Sequence, residues 1–538
     1  MQLSSMDEFD AIVIGSGIGG ALAAYPLVHA GWRVAMLERG GWVQRGPHNW
    51  KSEGVKELTP HYDRSTPYAV RGESRGEAAS VHCVGGASVF YGGVSLRLRE
   101  ADFEPTAEEA SVGALWPFGY DELEPYYAAA ERILGVAGEG GSDPYEPRRS
   151  APYPHALPPL SLTSSRIAAA AGALGYEPFR LPLAINFERA GTRQACVRCQ
   201  SCDCYPCAIS AKNDVASALI PDLLARGMRL ATHTAVVRLH ARRRRVEVIE
   251  AVDMRTGART MYRARHVVLA AGALATPHLL LASMLDRMNP AGDVVGGMLM
   301  RHCNGIVLGI FRSPLDPARE FHKQIGINDL YFGHPRVHRP AGRLGTIQQV
   351  HSPPPGLLLH GRPAPVVKFG SHLLDHMTGM IVIAADAPQL RNRVRLDART
   401  TRLGMPGATV HHRYGPRDRA ARRALQRVAR AVLGKAGALI TVTRPVLTFS
   451  HALGSVRMGP RPGAAPVDAY GRFRGLDNLV IADASVFPTA GGVNPSLTIA
   501  ALALRAGTHL AGSNVPDGAE VAAARRTRDT IIARAIHA

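Results

Sequence analysis

Phe9-Asp10-Ala11-Ile12-Val13-Ile14-Gly15-Ser16-Gly17-Ile18-Gly19-Gly20 is the stretch that decides the fold. Its first half is a short apolar run, which suits a strand buried on both faces of a parallel sheet. The glycines at 15, 17 and 20 then allow a tight turn, a close approach of backbone to a pyrophosphate, and packing of helix on strand. An Ala/Leu-rich helix is expected to about His29, followed by a second strand from Trp32 to Leu37 that ends in Glu38. A helix N-terminus favours an anion, and a carboxylate at that position accepts hydrogen bonds from a ribose. Strand, turn, helix, strand and acid together predict a dinucleotide-binding unit.

Working outward, 538 residues exceed the size at which one core keeps growing, so two domains are expected. With 46% hydrophobic and 20% charged residues the composition is that of an ordinary folded protein. Residues 1–100, 200–300 and 445–538 read as parallel-sheet, nucleotide-binding material. In the middle block a meander from Arg229 to His266 leads to Val267-Val268-Leu269-Ala270-Ala271-Gly272-Ala273, a buried strand entering a glycine turn. The last block holds a similar strand, Asn478 to Asp483, and a helix from Ser496 to Leu510. Residues 101–199 and 301–444 alternate in the manner of antiparallel strands, as in Met380 to Ala385 and Asn392 to Leu396. The fold expected is α/β, with a Rossmann-like nucleotide domain and a discontinuous antiparallel-sheet domain for substrate.

The net charge of +19 is spread along the chain, with one dense run at Arg242-Arg243-Arg244-Arg245 between strand-like segments. A solvated hairpin tip explains that run, and no nucleic-acid-binding motif accompanies it. No segment is apolar enough to span a membrane, and Met1 to Asp10 lacks the basic and apolar regions of a signal peptide. A cytoplasmic location is therefore expected, unless the chain is exported together with a partner subunit.

Near the end of the chain stand Phe449-Ser450-His451-Ala452-Leu453-Gly454 and Gly491-Gly492-Val493-Asn494-Pro495-Ser496. One imidazole and one carboxamide are thereby offered by a chain whose beginning holds a nucleotide, and both suit a substrate hydroxyl. His451 is expected to take the hydroxyl proton through a group with a pKa near about 6.5. Asn494 is expected to hold the same oxygen by hydrogen bonding. His302 beside Cys303 and the His411-His412 pair read as polar core or sheet-edge residues, and Trp116-Pro117-Phe118 with Tyr126-Tyr127 as packing on the nucleotide domain.

Taken in order, the fingerprint with Glu38, the run Gly85-Gly86-Ala87-Ser88-Val89-Phe90-Tyr91-Gly92-Gly93, the turn Ala270 to Ala273, and the His451 to Asn494 region resemble the glucose-methanol-choline oxidoreductase family. The resemblance covers nearly the whole chain. It implies FAD, with Gly85, Gly86, Ser88, Tyr91 and Gly92 in a loop against isoalloxazine and pyrophosphate, and with Gly272 in a turn back to the cofactor. It further implies Asp483 and Ala484 near the phosphate and ribityl part, Pro495 with Asn494 at the flavin ring, and the backbone of Val236 at the adenine. The implied reaction oxidises an alcohol to a carbonyl, with hydride passing to flavin N5. Some relatives bond flavin covalently through a histidine where this chain has Phe90, so non-covalent FAD is expected.

The phrases around Tyr91 and Leu181-Pro182-Leu183-Ala184-Ile185-Asn186 resemble members that oxidise sugars and amino sugars, so a carbohydrate hydroxyl is the expected substrate. Local acids such as Glu73 or Asp386 would offset the positive charge around a cationic sugar. A non-carbohydrate alcohol, aromatic, aliphatic or sterol, is the alternative, and so is a flavin-containing lyase of the same fold that performs no redox step. A nicotinamide-dependent dehydrogenase and a regulatory flavoprotein are further rivals, the last opposed by the intact His451 and Asn494. Oxygen, a quinone or a redox protein would receive the electrons. Cys196, Cys199, Cys202 and Cys207 belong to a run that leaves three readings open: an iron-sulfur cluster, zinc, or a loop of thiols without metal.

Overall fold

The computed structural model describes residues 8–50, 68–72, 76–78, 81–188, 193–316, 320, 323–333, 342–351, 359 and 362–516. Its centre is a parallel sheet of five strands in the order Leu479–Ile481, Ala264–Leu269, Phe9–Ile14, Val34–Leu37 and Arg229–Ala231. Every pairing in it is parallel, and Phe9–Ile14 lies buried between neighbours on both sides. That position is why its sequence is an apolar run and not an alternation. The helix Ile18–His29 covers one face and packs along the helix Ser496–Ala511, so the two ends of the chain share one core.

Crossing of the chain at the carboxyl ends of these strands is governed by missing side chains. Gly15 has φ 99°, and a Cβ there would run into the Ala270 carbonyl. A Cβ on Gly20 would collide with the Gly15 carbonyl, and one on Gly19 with the Ala482 carbonyl. Gly19, which carries no role in the fingerprint as read from sequence, is therefore the residue that lets the first helix pass the last strand.

The meander takes the expected shape as a three-stranded sheet of Thr234–Arg242, Arg245–Asp253 and Arg259–Tyr262. Arg243 and Arg244 both have positive φ, 47° and 64°, as a two-residue hairpin tip requires. Beside the nucleotide-binding part stands a six-stranded sheet in the order Ile440–Pro445, Gly305–Ile310, Met377–Ala384, Gly345–His351, Ile325–Ile327 and Pro178–Arg180. All its pairings are antiparallel, and the helix Pro416–Lys435 closes a second core against it. Pro178–Arg180 joins this sheet from far earlier in the chain, so the sheet is built from discontinuous sequence. A four-stranded sheet runs Arg393–Thr400, Pro406–His412, Tyr68–Gly72 and Gly76–Ala78. Among the described residues no helix is long and apolar enough to cross a membrane.

The glycine crossing gives a direct stability prediction. Gly19→Ala should cost about 1–3 kcal/mol, because the Ala482 carbonyl cannot yield without moving the sheet. Gly140→Ala, where no atom lies within 4 Å of the added carbon, should stay within about 0.5 kcal/mol. Chemical denaturation of the two variants checks this, and a Gly19→Ala protein as stable as the parent would contradict it.

Candidate active site

The fingerprint turn forms one wall of the site. Gly17 precedes the helix Ile18–His29, whose first turn has no side-chain cap, and a Cβ added at Gly17 would meet no atom within 4 Å. Uncapped N–H groups facing open space fit a phosphate. Glu38 is buried and already engaged: Oε2 accepts from the Ser16 N–H and Oγ at 3.1 and 2.6 Å, and Oε1 from the Gly40 N–H at 2.8 Å. Burial raises its carboxyl above the usual range against the pull of these bonds. Val236 lies on the strand that starts at Thr234, whose N–H donates to the Glu38 carbonyl at 2.8 Å.

The second glycine loop lies directly against the first. The Gly85 N–H donates to Ser16 Oγ at 3.0 Å, and a Cβ on Gly86 would stand 3.2 Å from Gly17 Cα. Ser88 Oγ donates to the Gly85 carbonyl at 2.6 Å and accepts from the Val215 N–H at 3.3 Å. Tyr91 donates its hydroxyl to the Asn213 carbonyl at 2.9 Å. A Cβ on Gly92 would overlap both Asp203 and Lys323, which form a bidentate pair at 2.7 and 2.8 Å above it.

Asp483 joins the ends of two strands. Its Oδ2 accepts from the Gly272 N–H at 2.9 Å and from Thr276 Oγ1 at 2.6 Å, while Oδ1 accepts from the Ser485 N–H at 2.8 Å. The Ala484 carbonyl accepts from the Gly454 N–H at 3.0 Å, tying this turn to the loop that carries His451. Pro495 precedes the helix Ser496–Ala511 and accepts from the Ile499 N–H at 2.9 Å.

His451 and Asn494 each have a partner that sequence reasoning did not assign. His451 Nδ1 lies 3.0 Å from His302 Nδ1, and His302 Nε2 lies 3.1 Å from the carbonyl of Ala490. His302, expected as polar core, thus links the His451 loop to the loop that carries Asn494. Asn494 Oδ1 accepts from Gln348 Nε2 at 2.6 Å, and Gln348 comes from the six-stranded sheet. His451 is half-buried. That burial, then His302 and the Lys323 charge, pushes its pKa down to about 3 against the opposing charge of Asp386. The expectation of a group near 6.5 is therefore corrected: desolvation keeps the imidazole neutral far below that pH.

Asp386 is occupied inside the protein. It is buried, its two oxygens accept from the Arg301 and His302 N–H groups at 3.0 Å each, and His412 Nε2 stands 3.6 Å away. Burial would raise its carboxyl, but His412 and these bonds hold it below the usual range. Glu73 lies outside the described residues. An acid that does lie against the glycine loop is Asp203, beside Gly92 and paired with Lys323.

The run Cys196 to Cys207 is organised by an ammonium. Lys212 Nζ is buried and donates to the carbonyls of Tyr91, Cys202 and Tyr205, each at 2.8 Å. The Cys204 N–H donates to the Phe90 carbonyl at 2.8 Å, so the loop lies against the second glycine run. Burial lifts the Cys202 thiol well above its ordinary pKa. All seven cysteines are free, and among the described residues no group of three or more His, Cys, Asp or Glu is placed to hold a metal ion. Neither the cluster nor the zinc reading of Cys196, Cys199, Cys202 and Cys207 finds a ligand set here: the carbonyls close on Lys212.

Residues 9–304 and 388–503 match the N-terminal and C-terminal models of GMC oxidoreductase. The chain belongs to the GMC oxidoreductase family. It is an FAD-dependent oxidoreductase acting on alcohols. Among curated proteins it is similar to paromamine 6'-oxidase of Streptomyces fradiae, 31% identical over 94% of this chain and 92% of that protein. Similarity of 31% also extends to 6'''-hydroxyparomomycin C oxidase of Streptomyces lividus, over 95% of this chain and 93% of that protein. Among solved structures, pyridoxine 4-oxidase from Mesorbium loti shares the fold with a TM-score of 0.62 at 20% identity, covering 94% of this chain and 99% of its own.

In this GMC oxidoreductase the loop bearing Asn494 is pinned by Tyr331. Tyr331 accepts from the Gly492 N–H at 2.8 Å and donates to Asp102 Oδ2 at 2.7 Å, with Arg343 on the other oxygen at 3.2 Å. A Cβ on Gly492 would lie 2.6 Å from Gly345 Cα, so the loop and the strand Gly345–His351 touch backbone to backbone. Tyr331→Phe leaves that N–H and one carboxylate bond unmade and should cost about 1–3 kcal/mol. Thermal unfolding of the FAD-loaded protein measures it, and an unchanged midpoint would show that the pin carries no load.

Proposed function

We propose that this oxidoreductase removes hydrogen from one hydroxyl of a sugar or amino sugar, with His451 as the base and Asn494 holding the oxygen that becomes the carbonyl. The observation that carries the reading is the placement of His451, whose Nδ1 lies 3.0 Å from His302 Nδ1 and which is joined through His302 to the loop of Asn494; burial, which lowers its pKa to about 3, supports it. A ring that stays neutral is ready to accept a proton at every pH in the working range.

The same low pKa dictates the timing. An imidazole held near 3 is too weak a base to ionise an alcohol in advance. Proton loss to His451 is therefore coupled to departure of the hydride from the carbon, when the oxygen is most acidic. Asn494 donates to that oxygen as its charge changes, and its amide is held by Gln348. FAD, when bound, supplies the acceptor of the hydride. The uncapped helix start at Gly17, the open face of Gly272 and the glycines of the second loop are the residues that would hold it, and no histidine stands at Phe90 to bond it covalently.

The carbohydrate class is supported by the names of two relatives and by the polar wall of the site. Gln348, Lys323 and Asp203 are donors and acceptors suited to several hydroxyls, and a site built around hydroxyls strongly rejects analogues that lack them. Asp203 keeps 44% of its side chain exposed beside Lys323, which gives an amino sugar an acid to meet. Both relatives are named oxidases, which supports oxygen as the final acceptor.

Anaerobic mixing tests the proposal. Paromamine or a related amino sugar should bleach the flavin faster than simple aliphatic alcohols or sterols, and the opposite order would remove the carbohydrate assignment. His451→Ala should slow this reduction by about 10² to 10⁴ with FAD still bound, and Asn494→Ala by about 10 to 10³. Full activity in His451→Ala would overturn its role as base.

A further inference from the structure

His302 is a constrained residue beside His451. Its φ is 57°, in the left-handed region that residues other than glycine rarely enter. Two long-range bonds hold it there: its N–H donates to Asp386 Oδ1 at 3.0 Å, and its carbonyl accepts from the Tyr414 hydroxyl at 2.7 Å. Only 1% of the residue is exposed, and its ring stands at 87° to that of His451. An uncommon backbone conformation held by surrounding contacts marks a position where the geometry of the side chain matters.

The protons can be assigned from the partners. A backbone carbonyl has no hydrogen to give, so at Ala490 it is His302 Nε2 that donates, over 3.1 Å. Burial disfavours the charged form of His302, and a neutral imidazole has one N–H, which leaves Nδ1 as an acceptor. The nitrogen facing it at 3.0 Å is Nδ1 of His451, which must then be the donor. With its proton on Nδ1, His451 carries its lone pair on Nε2.

We propose that His302 is a positioning residue that fixes His451 in the Nδ1–H tautomer and so makes Nε2 the atom that accepts the substrate proton. The catalytic half of this rests on His451 being the base. In water both tautomers are populated, and the wrong one presents an N–H where a lone pair is needed. Asp386 and Tyr414 serve the same end at one remove, because they hold the His302 backbone in the conformation that aims its ring.

Nitrogen-15 spectra of the FAD-loaded protein, labelled at histidine, report the tautomer directly, with the His451 signals identified by their loss in His451→Gln. The expected wild-type pattern is a protonated Nδ1 and an unprotonated Nε2, and a protonated Nε2 overturns the proposal without any variant. In His302→Gly, which tolerates the positive φ, His451 should sample both tautomers and flavin reduction should slow by about 10 to 10². His302→Asn accepts the same φ and places an amide oxygen close to the position of Nδ1, so it should restore one tautomer and most of the rate. Retention of the Nδ1–H form in His302→Gly overturns the positioning role. A mixed tautomer with a wild-type rate leaves that role intact and overturns His451 as the base, and with it the catalytic half of the proposal.

Discussion

No side chain fits where the loops after Ile14, Leu269 and Ile481 cross, and the rest of the molecule is arranged around that exclusion. Gly15 lies against the Ala270 carbonyl and Gly19 against that of Ala482, so three parallel strands end with their backbones in contact. Asp483 then joins two of those ends by bonding to Gly272 and Thr276. The glycine loop at Gly85 closes on Ser16 from the other side. The close approach leaves the N-terminus of the first helix uncapped and facing open space, which is the condition for binding a phosphate.

The chemistry is placed by a second set of contacts that has nothing to do with phosphate. The His451 loop is tied to the Asp483 turn through Gly454 and Ala484, and the Asn494 loop is pinned by Tyr331 at Gly492. His302 spans the two. The two side chains proposed to act on substrate, His451 and Asn494, thus each meet a partner from elsewhere in the chain, His302 and, on the strand Gly345–His351, Gln348. In the proposed role of His451 as base, burial favours the neutral imidazole and makes it a weak base. Such a base works only if proton and hydride leave together, and the depressed pKa is then compatible with alcohol oxidation.

The parts legible in the sequence are those whose physical requirement is local. A parallel central strand shows as an unbroken apolar run, and a tight strand-to-helix turn shows as glycines at fixed spacing, so the strand, turn and helix from Phe9 to Gly20 could be read directly. The Arg242 to Arg245 run, flanked by strand patterns, reads as a hairpin tip for the same reason. What escaped was long-range. His302 has no spacing signal, since its role comes from a positive φ enforced by Asp386 and Tyr414, 84 and 112 residues away in sequence. The cysteines drew attention by their spacing, while Lys212, the ion that the loop closes on, looks like any other lysine until three carbonyls are seen to converge on it. Gly19 was hidden inside a fingerprint whose other glycines already had assigned tasks. Asp386 read as an acid free to meet a cationic sugar because the backbone N–H groups that occupy it, those of Arg301 and His302, lie about 85 residues away in sequence.

The neutral state of His451 is the point on which the chemistry turns, and the pH dependence of flavin reduction measures it. With saturating substrate and without oxygen, the reduction rate constant from pH 5 to 8 should be flat, because the imidazole protonates only near pH 3. A rate that falls about tenfold per pH unit below an apparent pKa near 6.5, the ordinary value for a solvated histidine, would show that the ring is not desolvated in the working enzyme and would contradict the neutral-base description.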